Sequence, residues 1–360
     1  MQSAMALPGP PIPVGHGENP GKRIVQIVDS SAGRFRDEPA PRAAEMACAG
    51  AERRLHGMDV PFWRQAFSFC EIFSLSLENA LEPRLSPLPD LSAFAAILPR
   101  VEAIVREAGD IAMEYFRHGA PTQAHVSLKH GGSPVTEADL RIDRLLYARL
   151  AELAPGIGWL SEETVDSPER LAHETLFIAD PIDGTRGFMA GDPCFCVCLA
   201  LVFGDRPVYG IVHAPALAQT FVASIGAGAT LNGTPLAVST RQELSGARLA
   251  APENLHRILG GAGLTYSRQP RLPSLAMRLL RVAEGQCDAV LARENSCDWD
   301  IAAADLILHE AGGVLTDLQG RAPSYNRARP EHPVLAAGPP VLQARLIEAA
   351  VGGAATGRRA

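Results

Sequence analysis

The chain has 360 residues, 47% hydrophobic and 20% charged, which is enough apolar material for one large core or two smaller ones and excludes disorder throughout. A formal net charge of -7 without any dense Lys/Arg tract excludes the electrostatic footprint of a nucleic-acid binder, although a bound cation could still draw in an anionic substrate. The seven cysteines are odd in number and form no C-x-x-C pair, which argues against a disulfide framework or a zinc site and for a reducing cytoplasm.

Residues 1–88 differ from the rest. They are rich in Pro and Gly as far as residue 21, with neither the basic start nor the apolar run of a secretory signal. A short aromatic patch follows (Phe62, Trp63, Phe67, Phe69, Phe73), then Pro83, Pro87 and Pro89. The segment reads as a poorly ordered extension, or as sequence upstream of a translation start at Met46 or Met58. Its most apolar stretch, Val60 to Leu81, is interrupted by Arg64, Glu71 and Glu78 and is no membrane span.

A folded domain is expected over residues 89–352, in approximate halves 89–235 and 236–352, followed by a disordered tail at 353–360. It opens with a helix, because Leu98, Val101, Ile104, Val105, Ala108, Ile111, Ala112 and Phe116 recur at helical spacing. A second helix is predicted from Glu137 to Leu153, with Leu140, Leu145, Leu146 and Leu150 on its apolar side. Short apolar runs bounded by Gly, Pro and Asp then predict strands at Gly158–Ser161, Leu176–Ala179, Cys194–Phe203, Val208–Val212 and Gln219–Ser224. Helices return at Ser274–Glu284 and Trp299–Ala311, the latter closed by Gly312-Gly313. The result is a layered mixture of α and β with no internal repeat. Cys194, Cys196 and Cys198 lie at strand period and read as small core residues on one face.

Acidic residues gather at the ends of these elements: Asp139, Glu162 with Glu163, Asp180 with Asp183, and Asp298 with Asp300. The strongest segment is Asp180-Pro181-Ile182-Asp183-Gly184-Thr185. There a strand delivers Asp180, Pro181 and Gly184 are expected to force a turn, and Asp183 returns on the same side. Two carboxylates and the intervening Ile182 carbonyl offer an all-oxygen site suited to Mg²⁺, and a helix beginning near Thr185 would aim the Gly184 and Thr185 amides at a phosphate. Taken singly, each acid also fits a plain turn, a solvated surface pair or a helix cap. Their joint occurrence in one chain does not. Elsewhere, His173, His213 and His309 show no partner spacing, no Gly-x-Ser-x-Gly elbow occurs, and Gly226-Ala227-Gly228 is too weak for a nucleotide loop.

The order Ser133-Pro134-Val135-Thr136-x-x-Asp139, Ser161-Glu162-Glu163-Thr164, Asp180-Pro181-Ile182-Asp183-Gly184-Thr185 and Trp299-Asp300-x-Ala302-Ala303 resembles the inositol monophosphatase superfamily over residues 91–350. The resemblance implies an α/β fold, a layered αβαβα sandwich of the kind shared with fructose-1,6-bisphosphatase. It also implies a Mg²⁺-dependent, lithium-sensitive phosphomonoesterase, often a homodimer, using two or three Mg²⁺ ions with Mn²⁺ as a substitute. Residue by residue, Glu162, Asp180 and the Ile182 carbonyl would hold one ion, and Asp180, Asp183 and Asp300 a second. Asp139 and Thr185 would position and deprotonate the attacking water, with Glu163 supporting the metal shell.

Arg186 follows the Asp-Gly-Thr turn where inositol-specific members usually carry an uncharged residue, and Arg293 stands where they tend to place a Glu. A cation at the Arg186 position is common in both the bisphosphate nucleotidase and the histidinol-phosphate branches, whereas Lys129 before Ser133 and the tract Asn295 to Asp300 resemble the bacterial 3'(2'),5'-bisphosphate nucleotidases. Gly184, Thr185, Arg186, Lys129 and Arg293 are then the expected substrate contacts, and 3'-phosphoadenosine 5'-phosphate is favoured over inositol 1-phosphate or histidinol phosphate. A regulatory, non-catalytic protein on the same scaffold would be expected to have lost at least one acidic ligand. None is missing here.

Overall fold

The computed structural model describes residues 92–356 apart from His130 and Ala262, so the expected extension at 1–88 and the last residues, 357–360, lie outside the described part. After a single helical turn at Ser92–Ala95 come α1 (Leu98–Tyr115), the hairpin β1 (Val126–Leu128) and β2 (Pro134–Thr136), and α2 (Glu137–Leu153). A run of strands follows: β3 (Gly158–Ser161), β4 (Thr175–Asp183), then the short helix α3 (Thr185–Ala190), β5 (Cys196–Phe203), β6 (Arg206–Ala214), β7 (Gln219–Ser224), β8 (Ala229–Leu231) and β9 (Thr234–Pro235). The remainder is β10 (Arg248–Ala250), α4 (Glu253–Gly261), β11 (Ser267–Arg268), α5 (Leu275–Ala283), β12 (Ala289–Ala292), β13 (Ser296–Cys297), α6 (Asp298–Glu310), β14 (Val314–Asp317), β15 (Glu331–His332), β16 (Leu335–Gly338) and α7 (Pro340–Thr356).

Strands β3 to β9 form one seven-stranded sheet in sequence order, parallel only between β3 and β4. A second, five-stranded sheet has the order β11-β10-β12-β16-β14. Both faces of the larger sheet are covered, which is why its central strands are apolar at every position rather than at alternate ones. In β5, Cys196, Cys198, Ala200 and Val202 point into the core between the two sheets, whereas Val197, Leu199 and Leu201 point toward α1 and α2. Helices α5 and α6 fill the space between the sheets, and α4 and α7 cover the outer face of the smaller one. The layers are therefore α1/α2, large sheet, α5/α6, small sheet, α4/α7, the αβαβα sandwich that the family resemblance implies. No helix among the described residues is long and apolar enough to cross a membrane.

Two local expectations change. On α2 the buried stripe runs through Ala138, Asp139, Ile142, Asp143, Leu146 and Leu150, while Leu140 is exposed. Once Asp139 turns inward the i, i+3, i+4 rule fixes the rest of the stripe, and two carboxylates lie on it. The second change concerns Pro181: β4 does not turn there but continues to Asp183. Its register against β5 pairs Asp180 with Cys198 and Asp183 with Cys196, so three steps on β4 match two on its partner. This is a one-residue bulge, and proline fits it because no ladder donor is needed at that point. Without the bulge Asp183 would face α1 and α2 beside Ala179; with it, Asp183 shares the inter-sheet face of Asp180.

Helix α6 crosses the large sheet closely because Gly210 of β6 has no side chain. A Cβ there would lie 2.8 Å from the Ala303 carbonyl oxygen. Gly210→Ala is therefore expected to destabilise the protein by about 1–3 kcal/mol through overpacking. Urea unfolding checks this, and an unchanged midpoint would mean that α6 can shift outward without cost.

Candidate metal centre

Strand β4 ends at the floor of a cavity of about 580 Å³. Its lining includes Glu162, Asp180, Ile182, Asp183, Gly184, Thr185, Arg186, Arg293 and Asp300, so nine of the expected site residues meet there. Gly184 has φ +94°, a left-handed conformation that favours glycine, and an added Cβ would press on the Cys194 carbonyl and the Ser274 amide, each at 3.2 Å. Helix α3 starts immediately after it, at Thr185.

Asp139 and Asp300 are placed by one device used twice. Each is the third residue of its helix, and each carboxylate reaches back to the amide of the residue before the helix. For Asp139 of α2 that amide is Thr136 N–H at 2.8 Å, and for Asp300 of α6 it is Cys297 N–H at 2.7 Å. Neither acid is a plain N-cap: Thr136 and Cys297 hold that position, and Asp139 and Asp300 close a capping box from the third residue of each helix. The capping bond uses only Oδ2 of each, so Oδ1 of Asp139 and of Asp300 takes no part in the cap. Asp298, by contrast, turns away into the protein, where its oxygens receive His332 Nε2 at 2.7 Å and the Asn326 amide at 3.0 Å. It anchors the start of α6 beneath Asp300.

Carboxylate oxygens of Asp180, Asp183 and Asp300 lie within 4.8 Å of one another. Asp180 and Asp183 are buried, and Asp180 Oδ2 has no hydrogen-bond partner while Oδ1 accepts the Ile182 amide at 3.0 Å. An orphaned, buried carboxylate oxygen facing two other acids is costly unless a cation stands among them. The donors are all oxygen, as Mg²⁺ requires. A second cluster joins Asp183 to Cys196 and Cys198, whose sulfurs are 3.6 Å apart. Hydrogen bonding to Cys196 together with burial holds the Cys198 thiol well above its usual range. A protonated thiol is a poor ligand, so the oxygen trio is the better metal site.

The acids titrate accordingly. Asp180 is raised by burial and then by the charges of Glu162, Asp183 and Asp300. Asp300 is raised by burial and by Asp183, and Asp183 by burial, partly offset by Ser274 and the Ala276 amide. Burial lifts Asp139 to about 6 and Glu163 to about 7. Thr185 Oγ1 donates to the Ile182 carbonyl at 2.9 Å and lies 3.4 Å from Asp139 Oδ1, which connects the cavity to Asp139 behind it. Glu163 is also behind the lining. Lys129, an expected substrate contact, instead reaches Glu162 at 2.8 Å and Glu163 at 2.7 Å.

Several participants were not read from the sequence. Ser274 donates to Asp183 Oδ2 at 2.5 Å, and the Leu275 and Ala276 amides add bonds at 3.3 and 2.7 Å, so Asp183 sits at the start of α5. Arg271 and Arg278 join Arg186 and Arg293 on the cavity wall. Arg278 is only 7% exposed. It is the one charged residue on the fully buried face of α5, a signal that could have been noticed.

The layered fold and a deep acidic centre define a metal-dependent phosphatase class. The sequence profile of the inositol monophosphatase family matches residues 95–353, and the chain belongs to that family. It is 33% identical over 227 residues to inositol monophosphatase 2 of Solanum lycopersicum, covering 59% of this chain and 86% of the relative. It is also 33% identical over 242 residues to the 3'(2'),5'-bisphosphate nucleotidase CysQ of Aggregatibacter actinomycetemcomitans, covering 64% and 88%. Among solved structures the Thermotoga maritima IMPase superposes with a TM-score of 0.63 at 26% identity, over 73% of this chain and 99% of that one.

Linkage gives a test of the buried acids. Asp139 and Glu163, raised from 3.8 to about 6 and from 4.5 to about 7, hold protons in the folded state that the unfolded chain has shed. Their contribution to stability therefore falls as pH rises from about 4 through about 7. A divalent cation offsets that loss. The gain in Tm on adding Mg²⁺ to chelator-treated protein is expected to be larger near pH 7.5 than near pH 5. A pH-independent gain would separate these acids from the cation site.

Proposed function

We propose that the protein is a Mg²⁺-dependent phosphomonoester hydrolase whose substrate carries a second anionic group, with 3'-phosphoadenosine 5'-phosphate as the favoured example. The observation that carries this reading is the cavity's division into an acidic floor and a guanidinium wall. Arg186, Arg271, Arg278 and Arg293 line it, and none forms an ion pair with a described residue. Arg278 Nε donates to the Ser274 carbonyl at 3.1 Å, which leaves its terminal nitrogens available toward the cavity. Guanidinium groups donate and never accept, and they match phosphate in pairs. An uncharged polyol gives four of them too little to do. A leaving group with its own phosphate would neutralise them.

In this reading Glu162, Asp180 and the Ile182 carbonyl hold one Mg²⁺, and Asp180, Asp183 and Asp300 a second. The ions supply charge neutralisation of the phosphate dianion and acidification of a water. The chain's own groups do the rest. Thr185 Oγ1, 2.9 Å from the Ile182 carbonyl and 3.4 Å from Asp139 Oδ1, would swing its single hydroxyl proton from the carbonyl to Asp139 as it takes the proton of the water. Asp139, near 6, accepts a proton around neutral pH without holding it too tightly to release. The arginine wall fixes the leaving group, so that phosphorus, water and departing oxygen stand in line.

Asp183→Asn is expected to abolish Mg²⁺-dependent phosphate release while circular dichroism stays unchanged. Retained turnover at saturating Mg²⁺ would remove the centre from the mechanism. Phosphate release from 3'-phosphoadenosine 5'-phosphate, inositol 1-phosphate and histidinol phosphate, with and without Li⁺, ranks the substrates. Faster turnover of inositol 1-phosphate would overturn the assignment. Arg278→Met is expected to lower kcat/KM for the bisphosphate by about tenfold to a hundredfold, as losing a charged hydrogen bond implies, and to affect adenosine 3'-monophosphate much less.

A further inference from the structure

Helix α2 carries a second buried carboxylate to which the mechanism assigns no task. Asp143 lies one turn beyond Asp139 on the same inward stripe and is 8% exposed. Its Oδ1 receives the Ser161 hydroxyl at 2.6 Å, and its Oδ2 receives the Thr164 hydroxyl at 2.8 Å. Those two residues bracket Glu162 and Glu163. An ionised carboxylate only accepts, so both hydroxyls must donate to it and use their lone pairs elsewhere. Ser161 Oγ takes the Glu163 amide at 3.5 Å, and Thr164 Oγ1 takes the Trp159 indole at 3.3 Å. One side chain thus receives the hydroxyls at both ends of the arm that presents Glu162 to the cavity.

We propose that Asp143 is a positioning residue for the metal centre: it holds the Glu162–Glu163 arm to the helix that also carries Asp139, and cation affinity depends on it. The inference rests on the reading of Glu162 as a metal ligand. Partners that orient a ligand from behind alter metal affinity by about 10–100-fold when lost. Asp143→Asn keeps the size of the side chain but replaces one acceptor with a donor. That amide then faces a hydroxyl, which must reverse and give up its orientation.

The test is calorimetric titration of Mn²⁺ into the full, metal-stripped protein without substrate, so that no step depends on turnover. Asp143→Asn, Ser161→Ala and Thr164→Val are compared with Glu162→Gln and with Asp288→Asn, a buried carboxylate paired with Arg248 outside the cavity. The expected result is Mn²⁺ binding weakened about tenfold or more by Asp143→Asn and less by each hydroxyl variant, with Asp288→Asn lowering Tm but not affinity. Asp143→Glu, which keeps two acceptors, should retain more of the affinity than Asp143→Asn. If Glu162→Gln weakens binding while Asp143→Asn and both hydroxyl variants do not, the inference is wrong and the metal reading stands. If Glu162→Gln changes nothing, the reading of Glu162 falls and the inference falls with it. Should Asp143→Asn not fold, the two hydroxyl variants decide.

Discussion

Everything at this site depends on one inserted residue in β4. A regular strand would send Asp180 and Asp183 to opposite faces of the large sheet, one toward α5 and α6 and the other into the apolar packing beneath α1 and α2. The bulge between them reverses the parity and leaves Ile182 alone on the α1/α2 side, fully buried. The same irregularity frees the Ile182 carbonyl to meet Thr185 and turns its amide onto Asp180. A local defect in pairing thus makes a concentrated oxygen site on an otherwise apolar strand.

Such concentration is unfavourable for the protein alone. Burial raises the carboxyls of Asp180, Asp183 and Asp300, neighbouring acids raise Asp180 and Asp300 further, and Asp183 is partly offset by the donors of Ser274 and Ala276. The scaffold tolerates this through helix geometry. Asp139 and Asp300 each give one oxygen to a helix start, where an anion is favoured, and present the other to the site. Lys129 similarly offsets the glutamate pair from the hairpin β1–β2.

Much of the acidic set was legible in the sequence because its residues fall at element ends, where hydrophobic periodicity stops and turn residues begin. Asp180, Asp183 and Thr185 could be read in this way as one unit. What could not be read was parity. Pro181 and Gly184 looked like a turn because short-range chemistry does not distinguish a turn from a bulge; only pairing with Cys196 and Cys198 does. Leu140 was misplaced for a related reason, since the inward direction of α2 is set by a buried aspartate rather than by its leucines. Arg278 and Ser274 were missed because they act on Asp183 and the cavity across about ninety residues of chain, a relation with no local signature.

That separation has a consequence for biosynthesis. Asp183 is made with the first sheet, yet the hydroxyl and amides that hold its carboxylate belong to Ser274, Leu275 and Ala276. A nascent chain that has completed β4 to β9 therefore carries its acids without their partners, and Asp300 has yet to be made. On the proposed function, capacity to hold a cation would be acquired only when α5 and α6 close over the sheet, late in synthesis. On that reading a metal ion would thus be a ligand of the finished fold, stabilising it after assembly rather than guiding it.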